Sequence, residues 1–195
     1  MSTAYLNAIA AAAPQATICF DPFHVVKLAN EALDEVRRQE WNKARAAKEG
    51  ARQIKHTRWA LLKRPERLSD KQRAALTLVR RHNHRLWRGY EIKELVRAIY
   101  GEGDPEAAAQ WLEDAIRRAR RSRLGPFKKL GATLRQYKEG ILAAVRLGLS
   151  NSKLEGLNSR LALVNHRASG FHSVKAFIAM ALLCVGGFTP ILPHQ

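Results

Sequence analysis

Cysteine is scarce in this sequence. Its two cysteines, Cys19 and Cys184, lie in separate apolar runs. Two thiols so placed make neither a disulfide framework nor a zinc site, and both read as buried small hydrophobes. Long apolar runs are missing too. The longest, Ala176 to Val185, has ten residues, against about 20 for a membrane span. No basic segment precedes the Ala-rich start, so no secretory leader is recognised. These absences point to a cytoplasmic protein with no membrane partner. Strand-forming sequence is equally scarce. ATICF, residues 16–20, is the one convincing strand, and a single strand cannot make a sheet. Negative charge is thin toward the C-terminus: from Pro126 to Gln195 there are two carboxylates, Glu139 and Glu155, against nine Lys and Arg.

What is present is helix-forming sequence and positive charge. The 195 residues are 46% hydrophobic, enough for one domain or slightly more. The net charge of +17 is unevenly placed. Residues 1–50 carry six basic and six acidic side chains, and the remaining 28 basic and 11 acidic residues supply all of it. Such a surface attracts polyanions, nucleic acid first among them. Three basic clusters stand out: Arg52, Lys55, Arg58, Lys63, Arg64 and Arg67; then Arg80, Arg81, Arg85 and Arg88; then Arg117 to Arg123, which includes Arg118, Arg120 and Arg121. The four tryptophans, Trp41, Trp59, Trp87 and Trp111, read as packing residues rather than base-stacking platforms.

Periodicity and caps predict helices over 3–12, 22–45, 69–100, 105–123, 127–147, 150–167 and 172–185. A loop is expected over 46–57, and the tail after 185 reads as irregular. Asp21-Pro22 has the form of an N-cap followed by proline at the first helical position. In the helix that follows, Phe23, Val26, Leu33 and Val36 fall on one side.

Two stretches could carry chemistry. SNSKLEGLNSRL, residues 150–161, places Glu155 three residues after Ser152, the spacing of a capping box. On the same helix Lys153, Arg160 and Arg167 form a basic line. Glu155, Asn158, Ala162 and His166 form a separate small or polar face. Glu155 is thus turned away from the local cations, and both a cap and a metal ligand remain open. CFDPFHVVKL, residues 19–28, sets His24 three residues after Asp21, at the end of the expected strand.

The run from Asp21 through His24 to Leu28, the Glu31–Arg38 run, the Leu149–Leu161 run and Arg167–Phe171, in that order, resemble the ISL-three family of bacterial insertion-sequence transposases, of DDE type. The resemblance implies an RNase H-like α/β fold in which Asp, Asp and Glu bind two Mg²⁺ (or Mn²⁺) ions for in-line attack on a DNA phosphodiester. Glu155 matches the final glutamate, as catalytic and metal-binding residue. Asp21 and His24 match the family's Asp-x-x-His motif, with Asn158 as motif support and Asp21 an alternative triad member. In the family the second catalytic Asp comes directly before a Met-Ser-x-x-Tyr-like stretch, which Met1 to Tyr5 matches. That Asp, the first Asp, the central strands and the N-terminal DNA-binding region are therefore expected upstream. The sequence departs from the family at Val164-Asn165-His166, where basic residues are common, so no DNA contact is assigned to 165 and 166.

The expected architecture is mostly α with one strand at 16–20, the C-terminal portion of an RNase H-like domain with a helical insertion. Residues 1–21 are expected to end the core, 22–147 to form the insertion, 148–185 to supply the core helices carrying Glu155, and 186–195 to be the tail. DNA is the expected partner, bound by Lys153, Arg160, Arg167, Arg117, Arg118, Arg120 and Arg121, with a homo-oligomer or an intact transposase as a further partner. By itself the chain is expected to be inactive. The alternative is a stand-alone basic helical nucleic-acid-binding or transposition-inhibiting protein.

Overall fold

Local chemistry sets the helix starts. The computed structural model describes residues 3–101, 103–148 and 152–186. The described elements are helices: α1 (Thr3–Ala12), α2 (Pro22–Ala46), α3 (Ala51–Lys55), α4 (Arg58–Leu62), a 3₁₀ turn (Pro65–Arg67), α5 (Asp70–His82), α6 (His84–Ala98), α7 (Pro105–Arg121), α8 (Gly125–Gln136), α9 (Lys138–Arg146), α10 (Ser152–Arg167) and α11 (Val174–Val185). Asp21 caps α2 by accepting from Phe23 N, and Ser69 and Gln72 form a reciprocal capping box on α5. Asp104 caps α7 through the backbone N–H groups of Glu106 and Ala107. Each cap satisfies donors that the first turn leaves orphaned.

The chain divides into two compact units, 1–149 and 150–195. In the first, α2 packs on α6 and α8, α6 on α7, and α7 on α8 and α9. The buried seam of α2 is Val25, Ala29, Ala32, Leu33 and Val36. The expected Phe23 and Val26 are off that seam: Phe23 is 63% exposed and Val26 only half-buried. Leu86, Ile92, Val96, Ile99, Leu112, Leu124, Phe127, Leu134 and Ile141 complete a continuous core. Gly89 lets α2, α6 and α8 close on one another, because a Cβ there would lie 2.9 Å from Phe127 Cε2 and 3.1 Å from Leu33 Cδ1.

The expected strand does not form. Residues 16–20 are irregular, and no strand occurs among the described residues. A strand needs a neighbour to receive its hydrogen bonds, and here the segment instead leans on α9. The Phe20 amide donates to Gly140 O at 3.1 Å, and the Phe20 ring meets Tyr137 edge-on at 4.8 Å between centroids. Two long expected helices are each broken in two. Asn83 separates α5 from α6, with φ −135° and ψ 80°, its side chain accepting from Leu86 N. Tyr137 separates α8 from α9. The short α3 occupies part of the expected loop.

In the second unit α10 packs against α11. Ser169 (φ 52°) and Gly170 (φ 100°) turn the chain between them, with Gly170 N donating to Asn165 O at 3.2 Å. Ser173 caps α11 through Ala176 N. No residue of α11 is buried, and Val174, Ile178, Leu182 and Leu183 are each at least half exposed. This overturns the expectation for Cys184, which is exposed because one partner helix covers only part of α11; Cys19 is intermediate.

Candidate functional site

Asp21 stands where the 16–20 segment meets α2, and its two carboxylate oxygens have separate tasks. Oδ1 accepts from Phe23 N at 3.0 Å, while Oδ2 lies 2.5 Å from His24 Nδ1. The three-residue spacing brings this pair together once a helix begins at Pro22. Asp21 is mostly covered, at 18% side-chain exposure, and His24 is 64% exposed. The Asp21 charge also reaches Tyr100. Burial first, and then Asp21, push that phenol well above its ordinary value, and its hydroxyl is buried without a hydrogen-bond partner.

Glu155 lies in the first turn of α10. Its side chain, and those of Ser152 and Lys153, lie outside the described residues, so the capping-box contacts do as well. Further along α10, Asn158, Ala162 and His166 are exposed, as are Arg160 and Arg167. Among the described residues no three His, Cys, Asp or Glu side chains gather where they could hold a metal ion. The donors that do meet, Asp21 and His24, are bonded to each other. No two-ion site is thus assembled among the described residues, and Glu155, the ligand that the resemblance implies, has its side chain outside them.

The basic clusters are less free than their sequence suggests. Asp114 takes both Arg117 and Arg118, the latter at 2.8 Å. Arg120 and Arg121 are exposed and have no ion-pair partner among the described residues. Arg85 pairs with Glu40 at 2.9 Å, Arg88 donates to Ser122 O at 3.0 Å, and the Arg80 guanidinium stacks over Trp87. Arg58 approaches Asp34, which already holds Arg37 and Arg38. The role of Asp114 was legible in its spacing of three and four residues from its arginines. The roles of Glu40 and Ser122 were not, because their partners are distant in sequence. Two of the tryptophans are not packed away, Trp59 being 59% and Trp111 39% exposed.

No helix among the described residues is long and apolar enough to cross a membrane. Comparison with known proteins gives a consistent result. A transposase family model, the ISL3 group of DDE transposases, matches residues 1–181. The transposase for insertion sequence element IS1557 of Mycobacterium tuberculosis is 36% identical over 206 residues, covering 93% of this chain and 46% of that protein. The transposase for insertion sequence element IS1001 of Bordetella parapertussis is 32% identical over 178 residues, covering 91% of this chain and 44% of that protein. The chain thus spans about half the length of the curated relatives it matches. No solved structure matches it. With a family match across nearly its whole length, the chain belongs to the ISL3 family of DDE transposases.

Proposed function

We propose that these residues are the C-terminal portion of a DNA transposase catalytic region, and that their task is to hold DNA while contributing one carboxylate to the metal site. The observation that carries this reading is the family match over residues 1–181 in a chain of net charge +17. In the proposal Glu155 is the third member of the metal-binding triad. The other two carboxylates come from outside these residues, and the α10–α11 unit packs on an RNase H-like sheet. The exposed apolar side chains of α11 are consistent with such a covering. Asp21 and His24 act as a positioning pair at the edge of the core. Residues 22–147 are the helical insertion, and Arg120, Arg121, Arg160 and Arg167 contact DNA phosphate. Mg²⁺ takes only one or two protein carboxylates at a time, but two ions need more than Glu155 supplies. The chain alone therefore neither cleaves nor joins DNA.

A second reading is a protein that occupies DNA, or mixes with intact copies, without cutting. The continuous core of the first unit favours it, since α2, α6, α7 and α8 bury their apolar faces on one another with no strand among the described residues.

The test is incubation of supercoiled plasmid with the purified chain and Mg²⁺ or Mn²⁺. The expected result is bound but unnicked plasmid. Metal-dependent nicking that disappears in Glu155→Ala would overturn the proposal that the chain is inactive alone.

A further inference from the structure

We propose that the cleft between the end of α2 and α3 is a phosphate-binding site, and that its ligand is the sugar-phosphate backbone of DNA. This rests on the function proposed above and goes beyond it, naming a site of which the basic clusters of the sequence included only Arg52. The cleft, of about 730 Å³, is lined by Arg45, Lys48, Gly50, Ala51, Arg52 and His56. Two arginines, a lysine and a histidine, all exposed, are among its six lining residues, and no Asp or Glu is. Glu49, although adjacent in sequence, is exposed and is not part of the lining.

The fold gathers these groups. After Ala46 the chain reverses through Lys48 (φ 55°) and Gly50 (φ 67°). The short α3 then folds back on α2. It is held by half-buried Ile54, which packs against the core, and by Thr57 Oγ1, which donates to Ile54 O at 2.7 Å. Four basic residues spread over positions 45–56 thereby border one open depression.

At three other places in the unit a half-buried carboxylate answers nearby cations, whereas exposed arginines such as Arg120 and Arg121 have no ion-pair partner among the described residues. Asp34 holds Arg37, Arg38 and Arg58; Glu40 holds Lys43 and Arg85; Asp114 holds Arg117 and Arg118. Around the cleft no ion pair to Arg45, Lys48 or Arg52 exists among the described residues. Like charges gathered without a counter-ion repel, and the repulsion is relieved when an anion enters. Arg45 also lies over the Trp41 ring, 5.7 Å from its centroid. A cation–π contact of that kind holds the guanidinium near the ring face. Two guanidinium forks and an ammonium suit a tetrahedral, multiply accepting oxyanion better than a single carboxylate.

The experiment measures binding of a labelled duplex by fluorescence anisotropy between 50 and 200 mM salt, on the order of the range over which phosphate contacts are resolved. The wild type is compared with Arg45→Gln/Lys48→Gln/Arg52→Gln and with Lys71→Gln/Lys128→Gln/Arg135→Gln, which removes the same charge from exposed sites elsewhere. Circular dichroism melting checks that both variants fold. Each neutralised phosphate contributes about 0.9 to the log–log slope, so losing three contacts should shrink the affinity change across that fourfold salt range by about 40-fold. The cleft variant should show that loss and the control variant should not. In parallel, inorganic phosphate is titrated while the His56 ring resonances are followed by NMR. A shift that vanishes in the cleft variant supports the site independently of DNA. Equal slope losses in both variants, with no His56 response, overturn the inference. A His56 response without a selective slope loss keeps the phosphate site but overturns its use for DNA, assigning it to free phosphate or a nucleotide. If the wild type binds no duplex, the proposed function fails, and the His56 titration alone decides the site.

Discussion

Replacing Gly140 by alanine should destabilise the first unit, although alanine is the better helix former. Gly140 lies in α9, and a Cβ there would stand 2.6 Å from both Cδ2 and Cε2 of Phe20 and 2.9 Å from the Ile18 carbonyl oxygen. In an open helix the substitution would gain about 1 kcal/mol of helix propensity. Overpacking typically costs about 1–3 kcal/mol. Here one of the obstructing atoms belongs to the backbone and cannot rotate aside. The 16–20 segment must lift as a whole, losing the Phe20 N–H bond to Gly140 O, worth about 1 kcal/mol net. It also loses the edge contact with Tyr137, worth about 0.5–1.5 kcal/mol. The clash and the lost contacts together outweigh propensity, and the net destabilisation should be about 1.5–4.5 kcal/mol. Urea unfolding with an unchanged slope in denaturant measures it. The second arm is a double-mutant cycle. In a Phe20→Ala background the two ring contacts are gone and only the Ile18 carbonyl oxygen at 2.9 Å still obstructs the Cβ, so Gly140→Ala should cost less than in the wild type, leaving a coupling above about 1 kcal/mol. A Gly140→Ala protein as stable as the wild type, or a cycle with no coupling, would refute the docking of residues 16–20 on α9.

Other outcomes follow from single contacts. Asp114→Asn should release Arg117 and Arg118, steepen the salt dependence of DNA binding and raise affinity at low salt; an unchanged slope in anisotropy titrations would show those arginines face no phosphate. Asn83→Ala removes the cap of α6 and should cost about 1 kcal/mol in thermal melting. The Tyr90 hydroxyl is pushed up to about 12 by burial and then by Glu94. The unfolded chain gives up that proton near its ordinary value while the folded protein keeps it, so stability should fall as pH rises from about 10 to about 12. Tyr90→Phe should flatten the fall, as measured by urea midpoints across that range. Lys93 is 1% exposed, beside Glu94 and 4.5 Å from the centroid of the Tyr90 ring, and its burial lowers its pKa. Lys93→Met removes the buried partner of Glu94 and leaves that carboxylate to Arg97 alone, so it should destabilise the unit in urea unfolding by up to about 3–5 kcal/mol.

Features built by local chemistry were legible in the sequence, and features built by distant partners were not. Asp21-Pro22, Ser69 with Gln72, and Asp104-Pro105 announce helix starts because a cap and its donors lie within three residues. The Asp21–His24 contact was legible for the same reason. The break at Asn83 was hidden because apolar spacing continues on both sides of it, through Leu76, Val79, Leu86 and Ile92. ATICF has strand propensity, but pairing is a property of two segments, and α9 offers Gly140 rather than a strand edge. Phe23 shows the limit of a helical wheel: it shares a side with Leu33, yet the buried seam passes through Val25 and Ala29. The cleft residues Arg45, Lys48, Arg52 and His56 are not adjacent on any one helix, and only the reversal at Lys48 and Gly50 brings them together. The family, by contrast, was legible from ordered motif runs, which preserve residue identity where periodicity preserves only hydrophobicity.

Whether these residues hold DNA is decided by the affinity of the chain for two unrelated duplexes, titrated from low to moderate salt. Binding should be tight at low salt and nearly equal for both sequences, with log affinity falling against log salt by several multiples of about 0.9. An affinity that stays flat across that range, or the absence of binding at low salt, would contradict the proposed role in DNA binding.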